Sequence, residues 1–309
     1  MPALPDADEP VADLIERRRR QSRRKLDRVA AERWMPIAIA DPGPFAIAWV
    51  GDPHLDDDAC DWDLLLSHVE LIKRTPGMYA FGIGDVTNNW VGRLIRLYAD
   101  QKTTLSDARR LARWFLRDAG IPWIGSLLGN HDEWEHGEAI LGLISDGAVY
   151  LPYWETRLEF RAGGAKFRVH AAHDFAGSSI YNKTHGPARA AMFSGGAAEL
   201  LVCGHRHHVG SQGFEIEENG TYVRAVRARG YKAHDRHAIR CGFPQGRAGA
   251  TVVTVFDPHA ATPAGRVTVF EDPEAGALFL AALRARDGLP IMASKPKTKP
   301  KRKPTKSKS

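Results

Sequence analysis

Short apolar segments, most of them ending in glycine and followed at once by an acidic or metal-binding side chain, constrain this fold most. Helical patterns separate several of these segments, and alternation of strands with helices is typical of an α/β fold with a partly parallel sheet. We therefore expect strands at 45–50, 78–84, 123–129, 167–173 and 199–204. We expect helices at 11–34, 61–74, 89–102 and 105–120. Runs at 221–227, 250–256 and 266–270 follow without clear helices and predict a second sheet, closed by a helix at 274–286.

The side chains that follow the first five strands have metal-binding chemistry. Open α/β sheets bind ligands at the carboxyl ends of their strands, where these side chains would meet. The histidines of the last pair stand two positions apart, so both would face one side of an extended segment. Carboxylate, amide and imidazole ligands without thiolate suit Mn, Fe or Zn. The candidates are Asp52, His54, Asp85, Asn130, His131, Asp132, His173, His205 and His207.

In this order the motifs D-x-H, GD-x-x-N, GNHD, H and GHxH resemble those of the calcineurin-like metallophosphoesterase superfamily, over roughly residues 45–257. The resemblance implies an α/β fold in which a two-sheet β-sandwich is flanked by helices, as four α-β-β-α layers. It also implies two divalent metal ions, which would be Mn, Fe or Zn. The implied ligands are Asp52, His54 and His207 for the first metal, Asn130, His173 and His205 for the second, and Asp85 as the bridge.

The resemblance further implies a phosphoester hydrolase in which a hydroxide between the metals attacks phosphorus. Asn130 and the metals would stabilise the developing charge, and His131 would protonate the leaving group as general acid. Asp132 is a candidate for orienting His131. In the phosphoprotein phosphatase branch an aspartate stands where this chain has Asn88, and an arginine precedes the GNH motif where this chain has Leu128-Gly129. These departures favour the phosphodiesterase and nuclease branches.

Candidate substrate contacts lie outside the metal motifs. The insert at 178–193 offers phosphate- or base-binding side chains, although plain loop structure is an equal interpretation. The segment 229–243 is a second candidate rim, whereas the acidic run at 56–58 is expected to be a solvated loop. The predicted substrate contacts are Asn88, Tyr181, Asn182, Lys183, His185 and Arg189.

Charge patterning decides what the chain could bind. The formal net charge is +6, but the segment from Ser294 to the end holds seven lysines and one arginine without an acid. A second block at 16–34 has nine basic and three acidic residues, so the rest of the chain is mildly acidic. Nucleic acid is therefore a candidate partner through the basic ends rather than through a dedicated groove.

The chain divides on this basis into three segments. We predict a basic N-terminal helical extension at 1–40, a metallophosphoesterase domain at 41–290 and a disordered Lys/Pro-rich tail at 291–309. Three scattered cysteines do not make a disulfide framework and fit a reducing compartment. No signal peptide or membrane-spanning segment is visible in the sequence, which predicts a cytoplasmic protein without a membrane partner. The sequence does not determine the oligomeric state.

Three functions are compatible with this pattern. The first is a phosphodiesterase, with nucleic acid as one candidate substrate. The second is a phosphomonoesterase acting on a nucleotide or small metabolite. The third is a non-catalytic binding module of the same fold, which the complete ligand set disfavours.

Overall fold

The computed structural model describes residues 10–30, 34–91, 95–97, 101–134, 137–194, 196–233 and 249–291. The strands are β1 Met35–Ala38, β2 Phe45–Val50, β3 Met78–Gly82, β4 Trp123–Ser126, β5 Glu155–Ala162, β6 Ala165–Ala172, β7 Leu200–Cys203, β8 Gly210–Ile216, β9 Thr221–Arg227, β10 Thr251–Phe256 and β11 Val267–Phe270. The helices are α1 Val11–Ala30, α2 Trp62–Arg74, α3 Leu105–Arg113, α4 Asn130–Glu133, α5 Gly137–Ser145, α6 His185–Phe193, α7 Pro263–Arg266 and α8 Pro273–Arg286. A π-helical turn, Trp114–Asp118, continues α3.

The strands form two mixed sheets. One has the order β1-β5-β6-β7-β9-β8 and the other the order β11-β10-β2-β3-β4. Strands β2, β3 and β4 are parallel neighbours in the second sheet, and β6 and β7 are parallel neighbours in the first. Because parallel strands end at the same edge, each sheet delivers several loops to one side of the molecule.

The two sheets pack face to face around an aromatic and aliphatic core. Phe45 lies at its centre, with its ring centroid 4.9 Å from that of Phe256, 5.8 Å from Phe160 and 5.9 Å from Phe167. On the outer face of the five-stranded sheet, Leu65 of α2, Phe115 and Leu280 of α8 belong to a second buried cluster. On the outer face of the other sheet, Ala191 of α6 packs with β-strand residues. The predicted four-layer arrangement of a two-sheet sandwich flanked by helices is confirmed.

Side-chain caps fix the starts of the outer helices. The Asp61 carboxylate accepts a hydrogen bond from the Leu64 N–H at the start of α2, and Asp272 accepts one from the Glu274 N–H at the start of α8. Such caps satisfy backbone donors that the first helical turn leaves without a partner.

The prediction of a separate second sheet is wrong. Strand β9 belongs to the sheet of β6 and β7, whereas β10 and β11 extend the sheet of β2. Strands β5 and β8, and β1 within the predicted N-terminal extension, were not expected, and β1 pairs in parallel with β5. Strand partners depend on contacts between segments far apart in sequence, which hydrophobic patterning alone does not specify.

The helix predicted at 89–102 is also not observed at residues 89–91 and 101–102, which have no helical conformation, whereas residues 95–97 form a 3₁₀ turn. Residues 92–94 and 98–100 lie outside the described part of the chain, as do the tail at 292–309 and most of the rim segment at 229–243. The boundaries of the three predicted segments stay a prediction. Among the helices described, none combines the length and the apolar character that crossing a bilayer requires.

Candidate metal centre

The loops that follow β2, β3 and β4 of one sheet and β6 and β7 of the other meet at one edge of the sandwich. His54 N–H donates to the Asp85 carbonyl across 3.1 Å, which ties the loop after β2 to the loop after β3. Gly204 N–H donates to the His173 carbonyl across 3.0 Å, which ties the loop after β7 to that after β6. The side chains predicted as ligands are therefore brought together, although the strands that carry them belong to two sheets.

Three groups of these side chains have the geometry to hold a metal ion. Within each group one ligand atom per residue lies within 4.8 Å of the others. The groups are Asp52 with His54 and His207, Asp85 with His173 and His205, and His54 with Asp85 and His131.

Asp85 lies at the centre of this arrangement. Its Oδ2 atom is 3.4 Å from His173 Nε2, 3.9 Å from His54 Nε2 and 3.9 Å from His131 Nε2. The Oδ1 atom of Asn130 lies 3.1 Å from His173 Nε2. A carboxylate so placed can contact ions on either side of it, and the amide oxygen of Asn130 faces the His173 side.

The backbone at this edge is strained. Seven described residues other than glycine have a positive φ, and four of them are predicted ligands: His54 at 42°, Asp85 at 54°, His205 at 64° and His207 at 50°. Residues other than glycine rarely adopt this left-handed backbone region, and such conformations cluster at functional sites where the surrounding structure enforces them. The four side chains all belong to the groups that could hold a metal ion.

Glycine next to the ligands allows the close approach of the loops. A Cβ atom at Gly129 would collide with Asp85 Oδ1 and with the His173 ring, and one at Gly204 would collide with Asp52 Oδ1. These two positions therefore require a residue without a side chain.

Several buried polar atoms in the cluster have no hydrogen-bond partner among the described residues. They are both carboxylate oxygens of Asp52 and both ring nitrogens of His54. Burial without a partner is costly, and it raises the pKa of Asp52 to about 7. A divalent cation would bind an Asp52 oxygen and one ring nitrogen of His54, so the residues present fit the metals that the sequence implies.

The imidazole of His173 is held in a fixed orientation. Its Nδ1 atom lies 2.7 Å from the Ile83 carbonyl oxygen and is the N–H donor there, so Nε2 faces Asp85, Asn130 and His205. A ligating histidine commonly has its other nitrogen bound in this way. Burial alone would lower the pKa of His173, but the hydrogen bond and the negative charge of Asp85 outweigh burial and raise it to about 10.

The environment of His131 differs from the expected one. Its Nδ1 atom contacts the Asn88 carbonyl oxygen across 2.5 Å, and no hydrogen bond joins its ring to Asp132. Asp132 instead accepts from the backbone N–H groups of Asp85, Val86 and Gly129, at 2.6, 3.0 and 3.0 Å. The expected orienting contact is not formed, because Asp132 lies in the first turn of α4 with its carboxylate turned back toward these loops.

Asn88, predicted as a substrate contact, is buried. Its amide Nδ2 donates to Asp57 Oδ2 at 2.9 Å and to Gln101 Oε1 at 3.2 Å. The backbone of Asn88 rather than its side chain therefore serves the site, by accepting from His131.

The expectation of a solvated acidic loop at 56–58 is wrong for its first two members. Asp56 is fully buried and accepts from the Asn88 N–H at 2.7 Å. Asp57 forms an ion pair of 2.9 Å with Lys232, whose side chain is only 7% exposed. The charge of Lys232 contributes, after burial, to lowering the pKa of His54 and His207, to about 3 for His207. Lys232 lies in the predicted rim segment but was not singled out there.

The other predicted substrate contacts have local roles. Asn182 Oδ1 accepts from the Thr184 N–H and hydroxyl, the Lys183 carbonyl accepts from Arg227, and Arg189 lies 4.7 Å over the Phe193 ring. His185 begins α6, and Tyr181 is 92% exposed. Among the described residues, no hydrogen bond or ion pair joins these five side chains to the metal-binding groups. Their contact with substrate stays a prediction.

Three tryptophans that sequence reasoning missed border the cluster. The centroid of the His131 ring is 5.1 Å from that of Trp90 and 4.3 Å from that of Trp134. Trp154 lies 5.2 Å from His173 and 6.4 Å from His205. Trp90 and Trp134 each follow a motif after one residue, GD-x-x-N and GNHD respectively, which was a signal in the sequence.

No protein-family model matches the chain, and no curated protein matches it in sequence. Solved structures are similar in part. An archaeal phosphodiesterase has 13% identity and a TM-score of 0.38 over 73% of this chain and 99% of its own. A metallophosphoesterase from Sphaerobacter thermophilus has 16% identity and a TM-score of 0.37 over 80% and 95%. Zinc-complexed Vps29 from Entamoeba histolytica has 10% identity and a TM-score of 0.35 over 73% and 97%. At these identities and scores, the functions of the neighbours do not transfer to this chain.

Proposed function

We propose that this chain is a calcineurin-like metallophosphoesterase that hydrolyses phosphodiesters with two bound divalent cations. One observation supports the proposal: carboxylate and imidazole groups from five strand ends form three overlapping groups that could each hold a metal ion, and Asp52 and His54 have no hydrogen-bond partner among the described residues. A fold without a ligand at this edge would gain nothing from keeping such groups there.

The ligand assignment is the one that the resemblance implies, and the contacts support it. Asp52, His54 and His207 would hold one cation, and Asn130, His173 and His205 the other, with Asp85 between them. When bound, the two cations would supply an activated water as nucleophile and neutralise charge on the phosphoryl group. The donor set fits Mn, Fe or Zn.

His131 would donate the proton to the leaving oxygen. The Asn88 carbonyl holds its Nδ1–H, so Nε2, which lies on the Asp85 side, is the nitrogen that can carry and release a proton. Burial lowers the pKa of His131, and the negative charge of Asp85 opposes this shift. Asp132 would act on Asp85, by fixing the backbone from which the bridging carboxylate projects.

The preference for a diester rests on Asn88 and Leu128, which depart from the phosphoprotein phosphatase pattern. The test is a substrate panel of bis-p-nitrophenyl phosphate, p-nitrophenyl phosphate and single-stranded DNA. The protein would first be stripped with a chelator and then supplied with Mn²⁺. We expect hydrolysis only with the metal, at a higher kcat/KM for the diester.

The control is the exposed variant Asp63→Ala in α2, which should behave as wild type. Faster hydrolysis of the monoester would replace the diesterase assignment by a phosphomonoesterase. Bound metal without turnover on any substrate would refute catalysis and leave a binding module.

A further inference from the structure

The tryptophans around the cluster differ in how much of the ring is already engaged. Trp90 donates from Nε1 to Gln101 Oε1 at 3.0 Å, and the Lys232 ammonium lies 5.3 Å from its ring centroid. The His131 ring lies 5.1 Å from the Trp90 ring in an edge contact. The N–H and the ring of Trp90 are thus both already engaged within the protein.

Trp134 and Trp154 are less engaged. Among the ring contacts of the described residues, Trp134 contacts only His131, and Trp154 contacts only His173 and His205. Both side chains remain partly exposed. Each indole therefore lies beside the metal-binding groups with part of its surface open to solvent.

The two indoles flank the cluster at different imidazoles. Asp85 Oδ2 lies between these imidazoles, 3.9 Å from His131 Nε2 and 3.4 Å from His173 Nε2. If a phosphoryl group bound over Asp85, Trp134 would lie on the side of the leaving group, beside His131. Trp154 would lie on the side of the other ester substituent, beside His173.

The backbone of Trp154 adds an independent observation. Its φ is 56°, a left-handed conformation that a bulky side chain adopts only under constraint. Its N–H donates to the Leu128 carbonyl, and its carbonyl accepts from the His173 N–H. These two hydrogen bonds hold the left-handed conformation of Trp154 in place. Glycine or asparagine would relieve the strain, and the presence of an indole here points to a use for the ring.

We propose that Trp134 and Trp154 stack the bases of a nucleotide diester on the two sides of the phosphoryl group. This inference rests on the proposed phosphodiesterase function and names its substrate class. Every nucleobase has a π face, so stacking would select base-bearing esters without reading their sequence. Stacking on one aromatic side chain changes binding by about 5- to 150-fold.

The decisive experiment compares two dinucleotides that differ only in their bases. One is thymidylyl-(3′→5′)-thymidine, and the other is the same diester with each thymine replaced by hydrogen. The phosphoryl group and the leaving alkoxide are alike in the two, so the ratio of kcat/KM isolates the bases. We expect a ratio of about 100 for the Mn²⁺-loaded wild type, with about 10-fold from each base.

Substitutions then assign the effect to the indoles. Trp134→Leu should lower the ratio about 10-fold, Trp134→Phe should largely restore it, and Trp154→Leu should act like Trp134→Leu. Trp62→Leu, on the outer face near Trp114, is the matched control and should leave the ratio unchanged. If the indoles only support His131 and His173, the variants would slow both dinucleotides equally and the ratio would stay constant, which would overturn the inference.

A binding measurement separates the inference from the proposed function. Titration calorimetry would compare AMP with ribose 5-phosphate on the Mn²⁺-loaded protein, and we expect AMP to bind at least about 5-fold more tightly. Equal binding of both ligands would refute base stacking, even if diesters are hydrolysed. Tighter AMP binding that Trp134→Leu abolishes, without hydrolysis of either dinucleotide, would support stacking and refute the phosphodiesterase.

Discussion

The interior of the sandwich and the edge where its strands end follow opposite physical rules. Between the sheets, Phe45 packs against three other aromatic rings, and the single indole N–H of Trp49 donates to Thr254 Oγ1 at 3.0 Å. At the edge, Asp52 is equally buried, yet neither of its oxygens has a hydrogen-bond partner among the described residues. Interior packing stabilises the fold, whereas the edge retains strained backbone and buried polar atoms without hydrogen-bond partners.

Removing the carboxylate at the centre of the edge should have the largest effect. Asp85→Ala should lose bound metal and lower the kcat for bis-p-nitrophenyl phosphate by about 10⁴-fold or more, since members of a cooperative catalytic unit fail together. Metal analysis and steady-state kinetics would measure both losses, with Asp63→Ala as the exposed control. Wild-type rates in Asp85→Ala would refute the role of this edge.

The next largest effect concerns His131, which borders the cluster without being assigned as a ligand. His131→Ala should keep its metal and lose about 10²- to 10⁴-fold in kcat for a diester with an alkoxide leaving group, and less for p-nitrophenolate. His259→Ala, on an exposed side chain, is the control. Equal losses for good and poor leaving groups would contradict the role of proton donor.

A substitution in the interior should separate stability from binding. Phe256→Ala removes a ring that contacts Phe45, Phe160 and Phe167, and we expect a loss of about 3–5 kcal/mol in the free energy of unfolding. Metal affinity of the folded variant should change little. Phe193→Ala, 78% exposed, should cost less than about 0.5 kcal/mol in denaturant unfolding. A variant that unfolds no more easily than wild type would mean that the interior does not carry the stability.

The smallest effect is a pH dependence of the metal-free protein. The pKa of His173 is raised to about 10 in the fold, so the folded protein retains a proton that the unfolded chain releases above about 6.5. Its stabilising contribution is complete below pH 6.5 and is lost as the pH rises toward 10. With a chelator present, the free energy of unfolding should fall by about 1–3 kcal/mol between pH 7 and pH 9.

Two comparisons sharpen the pH prediction. His173→Gln should remove most of this slope, since glutamine does not titrate. Mn²⁺ should stabilise the wild type more at pH 9 than at pH 7, because metal ligands must be deprotonated. A metal-free wild type that gains stability over this range would show that His173 is not protonated in the fold.

The candidate site residues could be picked out from the sequence because they follow local patterns. Asp52, Asp85 and Asn130 each follow an apolar run, which predicts a strand end, and their side chains can bind metal. These two local features identify them as candidate ligands. The partners of His131 could not be predicted in this way. Asn88 contributes a backbone carbonyl, which every residue type has, so its identity carried no signal. Asp57 and Lys232 are 175 positions apart and become a pair only in the fold.

The sequence by itself determined the α/β class and the side chains with metal-binding chemistry, because hydrophobic periodicity and residue type are local properties. The four-layer arrangement was expected only from the resemblance of the motifs. Only the tertiary structure decided which sheet each strand joins, that Asp132 binds the backbone of Asp85, and that two indoles flank the cluster. These outcomes depend on the close packing of segments that are distant in sequence. The left-handed backbone of His54 and Trp154, for example, is enforced by neighbours that no local pattern specifies.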